Sequence, residues 1–171
     1  SCMSKDLKIR IAIMSVILFA FVTFMVWNEK NIIKSNYSSD NIDEIKISFD
    51  VMEDDGKTIS VITYSGTITD EKKMQEIVEH LNQVYFIKEP RMIQDLTEYS
   101  SVSGRCICVC TFSNANKVVD YRVFNFLENH TSILDSDRKY ISISRLDELK
   151  ECILNVCETS DEIDKEVKII K

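Results

Sequence analysis

Cys106, Cys108 and Cys110 occupy alternate positions of the run RCICVCTF. In a strand, alternate side chains share a face, so this spacing aligns three sulfurs. Cys152 and Cys157 follow in a segment with helical periodicity. If that helix covers the cysteine face, a cluster of Cys106, Cys108, Cys110 and Cys152 is able to bind zinc or another soft metal through thiolates. In an oxidising compartment a strand cysteine is able to pair with Cys152 instead. Structural zinc sites usually carry ligand pairs on a turn that wraps the ion, which a flat CxCxC strand does not do. Adjacent same-face positions also lie too far apart for an easy disulfide. The third reading is packing, because free cysteine is a small apolar residue and among the most buried types. It is the preferred one, and no cofactor is expected.

Other reactive residue types are scattered. His80 falls on the polar edge of a helical segment and His130 in the Glu128-Asn129-His130-Thr131 turn, with no second histidine at ligand spacing. Both are read as solvated surface residues. Glu53-Asp54-Asp55-Gly56 and Asp135-Ser136-Asp137 offer carboxylates, but neither has the twelve-residue loop closed by glutamate that makes a calcium-binding EF-hand. Both are read as solvated turns. The G-x-S-x-G, H-E-x-x-H, Walker and G-x-G-x-x-G patterns do not occur, and the 3 glycines leave little for a phosphate-cradling loop. Asn36-Tyr37-Ser38 and Asn129-His130-Thr131 match the glycosylation acceptor pattern, which matters only in a eukaryotic secretory pathway.

The elements that would carry these residues begin with an uncharged apolar run, Ile11 to Trp27. A helix rises about 1.5 Å per residue and a bilayer core is about 30 Å thick, so about 20 mostly apolar residues are needed. Leu7, Ile9 and Trp27 supply the ends. A cleaved signal peptide is the competing reading, but the following NEKNIIKSNYSSD has no small-x-small cleavage pattern. Lys5, Lys8 and Arg10 precede the run, which places a short N-terminus in the cytoplasm and the rest outside. Residues 1–27 are thus a cytoplasmic N-terminus and single-pass anchor, 28–42 a polar linker, 43–158 a domain and 159–171 a charged tail. The chain has 21 basic and 28 acidic residues. Setting aside Lys5, Lys8, Arg10 and Asp6 leaves 18 and 27, a net charge of −9. Such a domain is repelled by nucleic acid and by anionic headgroups.

Ile45, Ile47, Phe49 and Val51 alternate with polar residues, and KTISVITYS returns as a second strand after Asp55-Gly56. Met74, Ile77, Val78 and Leu81 recur at helical spacing behind a cap at Thr69 or Asp70. The stretch after Val84, interrupted by Pro90, reads as an irregular connection. Arg105 to Phe112, Val118 to Leu127 and Lys139 to Ser144 read as strands. Ser144 caps a second helix with a stripe of Leu146, Leu149, Cys152, Ile153 and Val156. Laying Ile68-Thr69 over Ile143-Ser144 aligns the two stripes, so a β-β-α duplication is open beside a shared helix grammar. The architecture is α+β: two layers, a mainly antiparallel sheet with two amphipathic helices on one face, preceded by the transmembrane helix.

The order of strands and closing helix in YSGTITDEKKMQEIVEHL and YISISRLDELKECILNV resembles small anchored extracytoplasmic α+β domains of unknown function in Gram-positive bacteria. The resemblance covers about Asp43 to Cys157 and rests on layout. It implies location and fold, and no activity, substrate or catalytic residue. The leading expectation is a noncatalytic, membrane-anchored domain binding a protein, peptide or envelope component through the second sheet face, where Ile62, Tyr64, Ile107 and Val109 are placed. The alternative is a thiol-based redox or metal-handling protein using the cysteine strand, favoured if those cysteines are exposed.

Overall fold

The computed structural model describes residues 5–38, 40–88, 106–133, 139–142 and 146–170. The chain divides into two units, residues 1–32 and 33–171. The first is dominated by helix α1 (Lys5–Asn31). Its stretch Lys5–Trp27, 23 residues, is long and apolar enough to cross a membrane. The hydroxyls inside the run are satisfied within the helix: Ser15 donates to the Ile11 carbonyl at 2.9 Å and Thr23 to that of Phe19 at 2.8 Å. A polar group in hydrocarbon without such a partner would cost several kcal/mol by order of magnitude.

The second unit holds strands β1 (Ile32–Lys34, its first residue falling in unit one), β2 (Glu44–Asp54) and β3 (Ile59–Ile68). Helix α2 (Glu71–Asn82) and β4 (Tyr85–Lys88) follow. Next come β5 (Cys106–Asn114), β6 (Lys117–Asn125), β7 (His130–Ile133) and β8 (Lys139–Ser142). Helix α3 (Leu146–Thr159) and β9 (Ile163–Ile169) complete it. The strands form one sheet in the order β1-β4-β8-β7-β6-β5-β2-β3-β9. From β4 across to β9 every pairing is antiparallel. The strand that follows each helix pairs with the strand that precedes the other helix: β4 with β8, and β9 with β3. That exchange ties the two halves together.

The β2–β3 turn explains its own acidic residues. Gly56 takes a φ of +80°, which costs a glycine little. Asp54 accepts from the Gly56 amide at 2.8 Å, and Asp55 accepts from the amides of Lys57 at 2.8 Å and Thr58 at 2.7 Å. Helix α2 starts at Asp70, whose carboxylate accepts from the Lys73 amide at 3.0 Å. It buries Met74, Ile77, Val78 and Leu81, and α3 buries Leu146, Leu149, Ile153, Val156 and Cys157. Against them the sheet presents Ile45, Ile47, Phe49, Tyr64, Ile68, Phe112 and Phe124, all nearly or fully inaccessible. The expected two-layer α+β architecture is the one observed.

Both domain boundaries differ from the sequence reading. The expected linker 28–42 contributes to the domain from Ile33 onward. Tyr37 stacks on Phe112 with ring centroids 5.0 Å apart. The Asn82 side chain accepts from the Tyr37 amide at 3.0 Å and donates to its carbonyl at 2.8 Å, while Ser35 and Ile42 are buried. The expected tail 159–171 contains strand β9, with Ile163 buried and paired with Gly66. Glu162 accepts from the amides of Thr69 at 3.1 Å and Asp70 at 3.3 Å and from the Thr69 hydroxyl. Glu158 accepts from Lys165 at 2.8 Å and from the Tyr64 hydroxyl. Polar anchors of this kind leave no apolar signature, which is why charge density suggested a tail. The start of the expected irregular connection is strand β4. Pro90, Asp135-Ser136-Asp137 and the Ser144 cap lie outside the described residues.

Candidate functional site

The three strand cysteines do share a face, and it is the inner one. Cys106 is 5 % exposed, Cys108 and Cys110 are fully buried, and the sulfurs of Cys108 and Cys110 are 3.6 Å apart. The helix residue that meets them is Cys157, buried on α3. Cys152 lies one position outside the buried stripe and lines the groove between α2 and α3 with Glu76, His80, Glu151 and Asn155. The expected grouping of Cys152 with the strand thiols is therefore replaced by Cys157. All five cysteines among the described residues are free thiols. Burial pushes Cys106 up and Cys108 well up, the latter helped by its hydrogen bond with Cys110. It pushes Cys152 up to about 11, with Glu76 adding, and Cys157 up to about 12, with Cys110 and Glu158 adding. A metal or disulfide partner needs thiolate, and desolvation opposes it here. Among the described residues no group of three or more metal-ligating side chains converges.

The four residues expected on the second face are divided by the register. Phe49 faces Tyr64 and Val51 faces Ile62, so Tyr64 and Ile62 point to the helix side; Tyr64 is 2 % exposed. The sequence cue was ambiguous because β3 is apolar at both parities, Ile59 and Val61 on one and Ile62 and Tyr64 on the other. Ile107 and Val109 do lie on the face away from the helices, opposite Asp50 and Ser48 of β2. There Val109 pairs directly with Val123 of β6, a residue the sequence reading missed. Ile107, Val109 and Val123 are partly exposed. Polar residues bound them along the sheet: Lys46, Ser48 and Asp50 on β2, and Ser65 and Thr63 on β3, where Thr63 donates to Asp50 at 2.8 Å.

His80 is half-buried, its Nδ1 2.8 Å from the Glu76 carbonyl, and faces the groove between the helices. His130 opens β7 and is buried, contrary to the solvated turn expected; Glu128 lies 3.7 Å from its Nδ1. Asp55 is held below the ordinary carboxylate range, first by the Thr58 amide and then by that of Lys57, so its lone pairs serve the turn.

Sequence reasoning also missed the one arginine buried among the described residues. Arg122 sits on the inner face opposite Cys110 and is 4 % exposed. Its Nε donates to Asp120 at 2.8 Å, and Nη2 reaches Ser35 at 3.2 Å and Tyr37 at 3.4 Å. Nη1 has no hydrogen-bond partner among the described residues. The signal was present in Asp120-Tyr121-Arg122, since residues two apart in a strand share a face and opposite charges there pair. The ion pair clamps Ser35 and Tyr37 to the sheet.

Comparison with protein-family models, with curated proteins and with solved structures gives no match for this chain.

Proposed function

We propose that this chain is a single-pass membrane protein whose α+β domain, held outside the cytoplasm, binds a protein, peptide or envelope component without catalysis. The observation that carries the reading is the partly exposed apolar row Ile107, Val109 and Val123 on the helix-free sheet face, rimmed by polar side chains. An apolar centre with a polar rim is the usual anatomy of a recognition surface. Helix α1 supports membrane anchoring, and Lys5, Lys8 and Arg10 ahead of its apolar run support a cytoplasmic N-terminus. The domain's net charge of −9 favours a protein or peptide with basic groups over nucleic acid.

The thiol-based redox or metal-handling reading requires reachable thiolates. Burial of Cys106, Cys108, Cys110 and Cys157 stands against it and supports packing.

The test is site-specific photo-crosslinking of the full chain in membranes, with a benzophenone amino acid replacing Val109 or, as a control, Glu79 on α2. Discrete adducts from position 109 and none from 79 are expected. No adduct from 109, or the same adducts from both, would remove the sheet face as the binding surface.

A further inference from the structure

The last strand ends the sheet. β9 pairs with β3 on one side, and among the described residues it has no strand on the other. Ile170 donates its amide to the Ile59 carbonyl at 2.7 Å, which makes the even-numbered residues the ones bonded to β3. The register runs unbroken from Ile163 to Ile169. Lys165, Val167 and Ile169 therefore direct their N–H and C=O groups to the free edge. Val167 is 54 % exposed and Ile169 73 %. An edge of this length with open backbone groups and exposed β-branched residues is a template for another strand.

We propose that β9 pairs antiparallel with β9 of a second copy of this chain, about a two-fold axis through Val167, joining two sheets edge to edge. Charge selects both occupant and register. In an antiparallel two-fold pairing the axis falls on a residue, and each choice sets its neighbours across from one another. An axis at Asp164, Glu166 or Lys168 places that charge against itself. An axis at Lys165 opposes two lysines and sets Asp164 against Glu166. An axis at Val167 sets Val167 against Val167 and Glu166 against Lys168 twice, with the outward backbone groups of Lys165, Val167 and Ile169 facing their partners. Opposite charges directly across a strand pair stabilise it and like charges do the reverse. Edge charges often serve to block pairing. Here they block every register centred from Asp164 to Lys168 except one. On the helix side, Val167 and Ile169 of both copies would close over the half-buried Ile62 opposite Val167. The other edge strand, β1, has 3 residues and offers no comparable template.

The test uses the full chain in detergent, with mass measured by light scattering after size exclusion over a concentration series. Wild type should dimerise. Glu166→Lys sets lysine against lysine at both charge pairs, and Lys168→Glu sets glutamate against glutamate, so each variant alone should raise the dimer dissociation constant about tenfold or more. An equimolar mixture of the two variants should dimerise again, because each mixed dimer sets lysine against glutamate at both charge pairs, and the double reversal Glu166→Lys with Lys168→Glu is measured beside it. That double variant restores opposite charges at both pairs and should dimerise like wild type. All variants should keep the wild-type circular-dichroism spectrum, since these side chains are exposed. A monomeric wild type at all concentrations, dimers that survive either single reversal, or a double reversal that stays dissociated would each overturn the proposal.

Discussion

Gly66 of β3 lies so close to Glu162 that a Cβ there would come within 2.1 Å of the Glu162 carbonyl oxygen and 2.9 Å of Ile163 Cδ1. This approach lets the connection from α3 turn directly into β9 and join the sheet beside β3. The position permits no side chain because backbone, which cannot swing aside, fills the space. Gly66→Ala is expected to cost at least about 2 kcal/mol, toward the upper end of overpacking effects. Chemical denaturation measures that loss, and hydrogen exchange should show the β9 amides losing protection first.

Glu162 and Glu158 fasten the same connection, and both are held below the ordinary glutamate value. For Glu162 the Thr69 hydroxyl is the leading cause, and for Glu158 it is the Lys165 ammonium. A carboxylate with a lowered folded-state pKa stabilises fully above its unfolded value and loses that contribution as pH falls through the folded value. The domain's melting temperature should therefore drop on acidification below about pH 4.5. Glu162→Gln should lower the melting temperature at neutral pH and flatten the acid limb.

Thiol labelling separates packing from chemistry. In the native protein with Cys2 replaced by serine, Cys152, on the groove between the helices, is expected to react first and slowly, and Cys106, Cys108, Cys110 and Cys157 only on unfolding. Mass spectrometry after timed maleimide treatment reads the order. Rapid labelling of Cys108 or Cys110 in the folded state would restore the thiol-site alternative.

Arg122 is buried and pairs with the half-buried Asp120, and removing the arginine strands the carboxylate. Arg122→Ala is expected to cost about 3 kcal/mol, whereas the double change Arg122→Met with Asp120→Asn should recover much of it. Equilibrium unfolding of the single and double variants gives the coupling directly. The loss should be accompanied by release of Tyr37 from Phe112, seen as a change in near-ultraviolet circular dichroism.

Much of this architecture is legible from periodicity. The stripes Met74, Ile77, Val78, Leu81 and Leu149, Ile153, Val156 name the buried helix faces, and the alternation through Ile45, Ile47 and Phe49 names the inner face of β2. What escapes is held by polar or single contacts. Tyr37 joins the domain through the Asn82 amide, the Arg122 guanidinium and one ring stack, β9 through Glu162 and Gly66, and none of these alters a hydrophobic pattern. The site was half legible for a related reason: β3 carries apolar residues at both parities, so only its pairing with β2 decides which face Ile62 and Tyr64 serve. The choice of Cys152 over Cys157 failed by a fraction of a helical turn, since both lie near the edge of the same stripe.

The binding role proposed for the domain depends on α1 holding it on the outer side of a membrane, and sidedness is measured by labelling intact bacterial cells expressing the full chain with a membrane-impermeant maleimide. Two added-cysteine reporters in a Cys2→Ser, Cys152→Ser background suffice, Glu128→Cys in the exposed β6–β7 turn and Lys5→Cys ahead of the apolar run. A labelled shift is predicted for position 128 in intact cells, and for position 5 only after permeabilisation. Labelling of position 5 but not 128 in intact cells, or recovery of the chain in the soluble fraction after an alkaline wash, would contradict it.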